Sequence, residues 1–238
     1  MAKAVGLIGS LKGKVGNTVF ATRRGIQVAR VYQPVVAQPK SARQQLSRAK
    51  FALATDTLRP FNLFLRAGWQ KTRPTYEFQQ GVKRVIPVDK AIMTGSTPET
   101  IQIDYTLLAE VFSAGGLQGI VATEPTSAEE GKVEFNVTVP AADFLDEHGA
   151  NVDCGIVIAV YNNDLGQVKV FNEKELTADV AKAITLDVPT NWSGMRVYVY
   201  VFAKQIPTAV NGIPSTDLPW MYPAKTSECV CAGAVDVA

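Results

Sequence analysis

From Ile101 onward the chain is a succession of short β-prone runs cut by turn residues, and this pattern restricts the fold more than any other feature. Ile101-Gln-Ile-Asp-Tyr105 alternates with period two, as a half-buried strand does. Further runs follow at 107–112, 117–122, 133–139, 155–161, 167–171, 183–188, 195–202 and 228–235. Between them stand Gly115-Gly116, Glu130-Gly131, Asn162-Asn163-Asp164, Asn191-Trp-Ser-Gly194 and Asn211-Gly212-Ile-Pro214. About nine strands at this spacing describe an antiparallel β-sandwich, immunoglobulin-like or jelly-roll-like. Val197, Val199 and Val201 alternate with Tyr198, Tyr200 and Phe202. Both faces there are apolar, which predicts a central strand or one lying under helices.

The front of the chain reads differently. Gly6, Gly9, Gly13 and Gly16 punctuate it, a density suited to turns and close backbone contact. Thr18-Val-Phe-Ala21 and Ile26-Gln-Val-Ala-Arg-Val-Tyr32 flank Thr22-Arg-Arg-Gly25, a hairpin signal. Pro34 and Pro39 hold an extended linker until Ser41. Ser41-Ala-Arg-Gln44 fits a capping box. Leu46, Ala49 and Leu53 then recur at helical spacing, with Phe51, Ala54 and Leu58 widening the apolar face. Pro60 is expected to break or kink this helix, and a second piece, 61–67, to stop at Gly68. Residues 69–81 read as a connection. The expected fold is mainly β with a helical insert: a basic arm and hairpin over 1–38, a kinked helix and connection over 39–82, and the sandwich over 83–238.

Charge divides the chain more sharply than its net of +2 implies. Residues 1–90 carry 17 Lys/Arg and 3 Asp/Glu, whereas residues 91–238 carry 7 and 19. No acid precedes Asp56. Such opposition points to a partner or to self-docking. Lys12, Lys14, Arg23, Arg24 and Arg30 on the arm and Arg43, Arg48 and Lys50 on the helix supply the charge of a partner-binding surface. Val15, Asn17, Val19 and Phe20 supply its apolar and turn contacts. The partner expected is another copy of the chain or another protein of an assembly. Nucleic acid is the alternative, since these cations can neutralise phosphates. Aromatics for base stacking are sparse there, which favours weak and non-specific binding.

Reactive chemistry has little to build on. Gly9-x3-Gly13-Lys14-Val15 is one residue short of a phosphate-binding loop and ends in valine. His148 is the one histidine, with no nucleophile elbow to serve. Glu129-Glu130 and Asp143/Asp146 pair carboxylates, but in hydrophilic, turn-like segments. Three cysteines are too few for a disulfide framework, and Cys229 and Cys231, two apart, face one side of a strand as small hydrophobes. No enzyme activity, cofactor or metal is expected. No apolar run reaches the roughly 20 residues of a membrane span. The first residues read as mature sequence and not as a signal peptide, hence as a product of the cytoplasm.

Gly13-Lys-Val-Gly-Asn17, with Arg30, Pro34, Pro39, Gln44, Arg48 and Phe51 downstream, resembles a family without assigned function. Its members are short, signal-less proteins of Bacteroidota and their phages. The similarity continues at Ile103-Asp-Tyr105, Ala159-Val-Tyr-Asn162 and Trp192-Ser-Gly194. The motifs carry no chemistry. Phe51 and Trp192 read as core anchors, and Gly16-Asn17 as a turn. The resemblance implies a phage or mobile-element origin, and so a virion component, associated with capsid, portal or tail. A host-encoded adhesion or carbohydrate-binding module is a third reading.

Overall fold

In the computed structural model the chain divides into two units, Met1–Ser41 and Ala42–Ala238. The structure describes residues 2–3, 12–23, 26–33, 41–69, 77–87, 91–113, 117, 119–138, 154–173, 181–205, 209–210, 213–214 and 226–238. Arg24, His148, Asp143 and Asp146 lie outside the described residues.

The first unit is a four-stranded antiparallel sheet. Its strands are β1 (Ala2–Lys3), β2 (Gly13–Val15), β3 (Thr18–Arg23) and β4 (Ile26–Val31), in the order β1-β4-β3-β2. The expected hairpin is β3–β4, in register from Thr18↔Val31 to Arg23↔Ile26. The Gly-Lys opening adds the strand β2, joined to β3 through Gly16-Asn17. Gly16 takes φ +56°, and the first central position of such a two-residue turn favours glycine.

The second unit begins with α1 (Ala42–Leu58), α2 (Asn62–Gly68) and α3 (Glu77–Val85). Pro60 falls in the break between α1 and α2, as expected. The short pair β5 (Met93–Thr94) and β6 (Gln102–Ile103) and a 3-10 turn at Leu107–Val111 follow. The body strands are β7 (Val121–Ala122), β8 (Lys132–Thr138), β9 (Cys154–Asn162), β10 (Gln167–Glu173), β11 (Lys182–Asp187), β12 (Arg196–Gln205), the small pair β13 (Ala209–Val210) and β14 (Ile213–Pro214), and β15 (Val230–Asp236). One sheet has the order β10-β9-β12-β15 and a second β11-β8-β7, all antiparallel.

Strand parity builds two cores on one sheet. On β9, Ile156, Ile158 and Val160 join the cluster shared with Val133, Phe135 and Val137 of β8 and Ile184 and Leu186 of β11. The alternate residues, Val157, Ala159 and Tyr161, join Leu58, Phe61, Phe64 and Leu65 of the helical insert. β12 divides the same way, with Val197, Val199 and Val201 on the sandwich side and Tyr200 and Phe202 on the helix side. So β12 is both central in its sheet and covered by helices. Its lack of polar alternation follows from burial on two faces. Trp192 is fully buried in the sandwich core. Its indole N–H donates to Gln167 Oε1 at 3.2 Å. At one side of the sandwich Lys182 Nζ reaches Glu173 Oε1 at 3.1 Å, linking β11 to β10.

The helix-side core is aromatic. Phe61 lies 4.6 Å from Phe112 and 4.8 Å from Tyr161, centroid to centroid. Phe64 lies 4.9 Å from Phe202. Gly68 closes α2 against this layer, and a Cβ there would stand 2.0 Å from the Phe112 carbonyl oxygen. Its own carbonyl accepts the buried Thr226 hydroxyl at 3.2 Å.

Several expectations change. Residues 77–81, read as part of a connection, instead open α3 (Glu77–Val85). Its Val82 and Val85 are buried while Lys83 is exposed, a helical spacing hidden in a short polar segment. Residues 107–112 are not a strand: the Asp104 carboxylate accepts the N–H groups of Thr106 and Leu107 at 2.9 and 3.4 Å and starts the 3-10 turn instead. The Thr106 hydroxyl, which also donates to this carboxylate, and then the two backbone N–H groups hold the Asp104 carboxyl below the usual range. Phe51, expected as a core anchor, is 58% exposed. It shares a stripe of α1 with Ala54 and Leu58, but full burial begins only at Ala54.

Candidate interaction surface on the N-terminal sheet

Side chains of paired residues in an antiparallel sheet share a face. The register Val15↔Thr18↔Val31 and Gly13↔Phe20↔Ala29 therefore sets Val15, Thr18, Phe20, Ala29 and Val31 on one side of the sheet. Gln27 shares their parity, and none of these residues is charged. The register Lys14↔Val19↔Arg30 and Ala21↔Val28 sets the other side. Tyr32 extends it, its N–H bonded to the Asn17 carbonyl at 2.6 Å. Lys14 Nζ stands 3.6 Å from the centre of the Tyr32 ring, a cation–π contact that holds both side chains on that face.

Among the residues of this unit whose side chains are described none is buried. Val15 is 66% exposed and Val31 78%, and Tyr32 is exposed as well. Val19 and Phe20 are half-buried, on opposite faces of β3. Lys12, Lys14, Asn17 and Arg30 are exposed. Arg23 ends β3, in register with Ile26. The sequence motif thus breaks into two chemistries: Lys14, Val19 and Arg30 go to one face, Val15 and Phe20 to the other. Residue lists alone do not separate them; the turn at Gly16-Asn17, which fixes the register, does. Val31 and Tyr32, absent from the expected contact set, are among the most exposed apolar groups of the unit. Their signal was the alternation Arg30-Val31-Tyr32.

On the second unit, Arg43 and Arg48 are exposed and Lys50 is half-buried on α1. Arg66 of α2 is turned to the body, its Nε 3.9 Å from Glu77 Oε2 on α3. Burial raises the Glu77 carboxyl above its usual range, and Arg66 opposes that rise. A surface groove of about 540 Å³ is lined by Asp56, Arg59, Gln167, Lys169 and Trp192 among others. Two of its polar groups are already engaged, Gln167 by the Trp192 indole and Lys169 by the Asp187 carbonyl. Cys229 is buried, and Cys231 half-buried, against the helix-side core. Burial pushes both thiols above their usual range, away from the thiolate needed for reactivity. Among the described residues no group of three His, Cys, Asp or Glu is placed to hold a metal ion. No helix among them is long and apolar enough to cross a membrane.

Fold and surface together define a mainly β protein with a helical insert and a separate, charge-sorted N-terminal sheet. The chain belongs to a family of unknown function, DUF6266, which it matches over residues 10–211. No curated protein matches it.

Proposed function

We propose that this is a non-enzymatic structural or assembly protein, a phage virion component that docks through its basic N-terminal sheet and the basic start of α1. One observation carries the reading. The first unit, a sheet with its flanking segments, has seven Lys/Arg, no Asp/Glu and no buried residue among those whose side chains are described. A sheet of this kind needs an apolar cover for independent stability. Its cations suit an acidic partner, which they steer and orient, with Val19 beside Lys14 and Arg30 on the same face to supply affinity, while Val15 and Phe20 offer the opposite face an apolar contact. The second unit, with two complete cores, needs no such help. The virion assignment rests on the Gly13-Lys-Val-Gly-Asn17 resemblance to phage-linked proteins. The test is deletion of residues 1–38, followed by negative-stain imaging of the truncated and full chains with a virion fraction. The full chain is expected to bind or assemble and the truncated body to stay folded but unattached. Equal attachment of both would overturn the reading.

Lys14, Arg30 and the exposed Tyr32 on one face also support a second reading, a polyanion such as single-stranded nucleic acid. The expectation under the assembly reading is weak binding that fades as salt is raised. Tight binding that persists at physiological salt, and is lost in Arg30→Gln, would favour the second reading instead.

A further inference from the structure

We infer that the uncharged face of the N-terminal sheet packs against the same face of a second copy of this chain, making a two-fold sandwich of two four-stranded sheets. The inference rests on the assembly reading and names one of its partners. Val15, Thr18 and Val31 form one rung of the face, and Phe20 and Ala29 the next. These are β-branched, aromatic and small residues, the kind that interdigitate between stacked sheets about 10 Å apart.

Charge selects the occupant. The unit carries seven cations and no acid, so stacking its basic faces would set like charges against each other. Stacking the uncharged faces desolvates no charge on that face and leaves Lys14 and Arg30 on the two outer surfaces. The described body offers no matching cover. Its exposed large apolar residues, Phe51, Leu63, Val121 and Leu165, stand on four separate elements or turns. The uncharged face gathers Val15 and Val31 into one rung. Its best complement among the described surfaces is itself, which is the condition for an isologous contact.

Area sets the strength. Four short strands span a face of about 300 Å², well under the roughly 800 Å² per partner of a standard interface. The dimer is therefore weak and concentration-dependent, in the micromolar-to-millimolar range. It becomes effective where many copies are held together. Each dimer presents two basic faces outward, so it can join two acidic partners.

The test uses the full chain with two single cysteines on adjacent residues of β4. Ala29 lies at the middle of the uncharged face and Val28 at the middle of the other. With a short bismaleimide, Ala29→Cys is expected to give a covalent dimer and Val28→Cys no more than the unmodified chain, whose own cysteines serve as the control. Sedimentation equilibrium supplies a second measurement. Val15→Asp with Val31→Asp is expected to weaken association by about tenfold or more, with the body's thermal transition unchanged. Lys14→Gln with Arg30→Gln is expected to leave the dimer intact while reducing attachment to the virion fraction, so the two readings fail separately. A full chain that stays monomeric at about 1 mM, or equal cross-linking from Ala29→Cys and Val28→Cys, would overturn the inference.

Discussion

The Tyr200 hydroxyl donates to the main-chain carbonyl of Tyr105 at 2.7 Å. The bond joins β12 to the segment that leads into the 3-10 turn, between residues 95 apart in sequence. Tyr200 is fully buried, and that burial holds its hydroxyl protonated, with its pKa well above the usual tyrosine range. Tyr200→Phe keeps the ring in place against Phe61 and Phe112 and removes only the donor. The expected loss is about 1–2 kcal/mol, read as a lower urea midpoint with an unchanged slope. An unchanged midpoint would mean that the Tyr105 carbonyl finds water.

Gly68 is the second test. Any Cβ there meets the Phe112 carbonyl at 2.0 Å, and the obstacle is backbone, which cannot rotate away. Gly68→Ala is expected to cost about 2–4 kcal/mol, although alanine is the better helix former. Scanning calorimetry of the variant should show a lower transition. A rise in the transition temperature would show that α2 has room to move.

Phe51 and Leu53 make a matched pair on α1. Leu53 packs against the helix-side core, while Phe51 is largely exposed. Leu53→Asp is expected to unfold or aggregate the protein, because it forces a charge toward an apolar layer. Phe51→Asp is expected to change stability by about 0.5 kcal/mol or less. Thermal melts of the two variants would separate them, and equal damage from both would move the edge of the core outward to Phe51.

Period-two runs made most of the body legible. The strands at β8, β9, β10, β11, β12 and β15 lie where alternation and turn residues set them, because a strand with one or two buried faces must write that burial into its side chains. Val197 to Phe202 even announced its two-sided environment. What the sequence hid was local competition. Asp104 offers its carboxylate to Thr106 and Leu107 and converts an apolar run into a 3-10 turn. Glu77 to Val85 is short and polar enough to pass for a loop until α1 and α2 give its apolar residues somewhere to go. Phe51 has helical spacing but no layer beneath it, which only tertiary structure reveals. On the N-terminal sheet the candidate contact residues could be named from the sequence, and their division between two faces could not. That division depends on register, which one residue at the Gly16-Asn17 turn would invert.

Lys204 supplies the pH test. It follows Tyr200 and Phe202 on the helix-facing side of β12, pairs with Gly155 of β9, and is buried. Burial away from water disfavours the ammonium and lowers its pKa from the usual 10.5 to about 7. The unfolded chain keeps the ordinary value. Between these two values the unfolded state holds a proton that the folded state has released. Stability therefore rises with pH across this window and is lost as pH falls through about 7. Below the folded value both states are protonated, and the cost of the buried charge is present in full. Lys204→Met keeps a straight apolar chain and removes the charge. It is expected to stabilise the protein at pH values below about 7 by roughly 1–3 kcal/mol and to flatten the rise in stability above it. The measurement is urea unfolding of both proteins at several pH values from slightly acidic to moderately alkaline. Parallel pH profiles for Lys204→Met and the unmodified chain would show that the Lys204 ammonium reaches solvent at little cost.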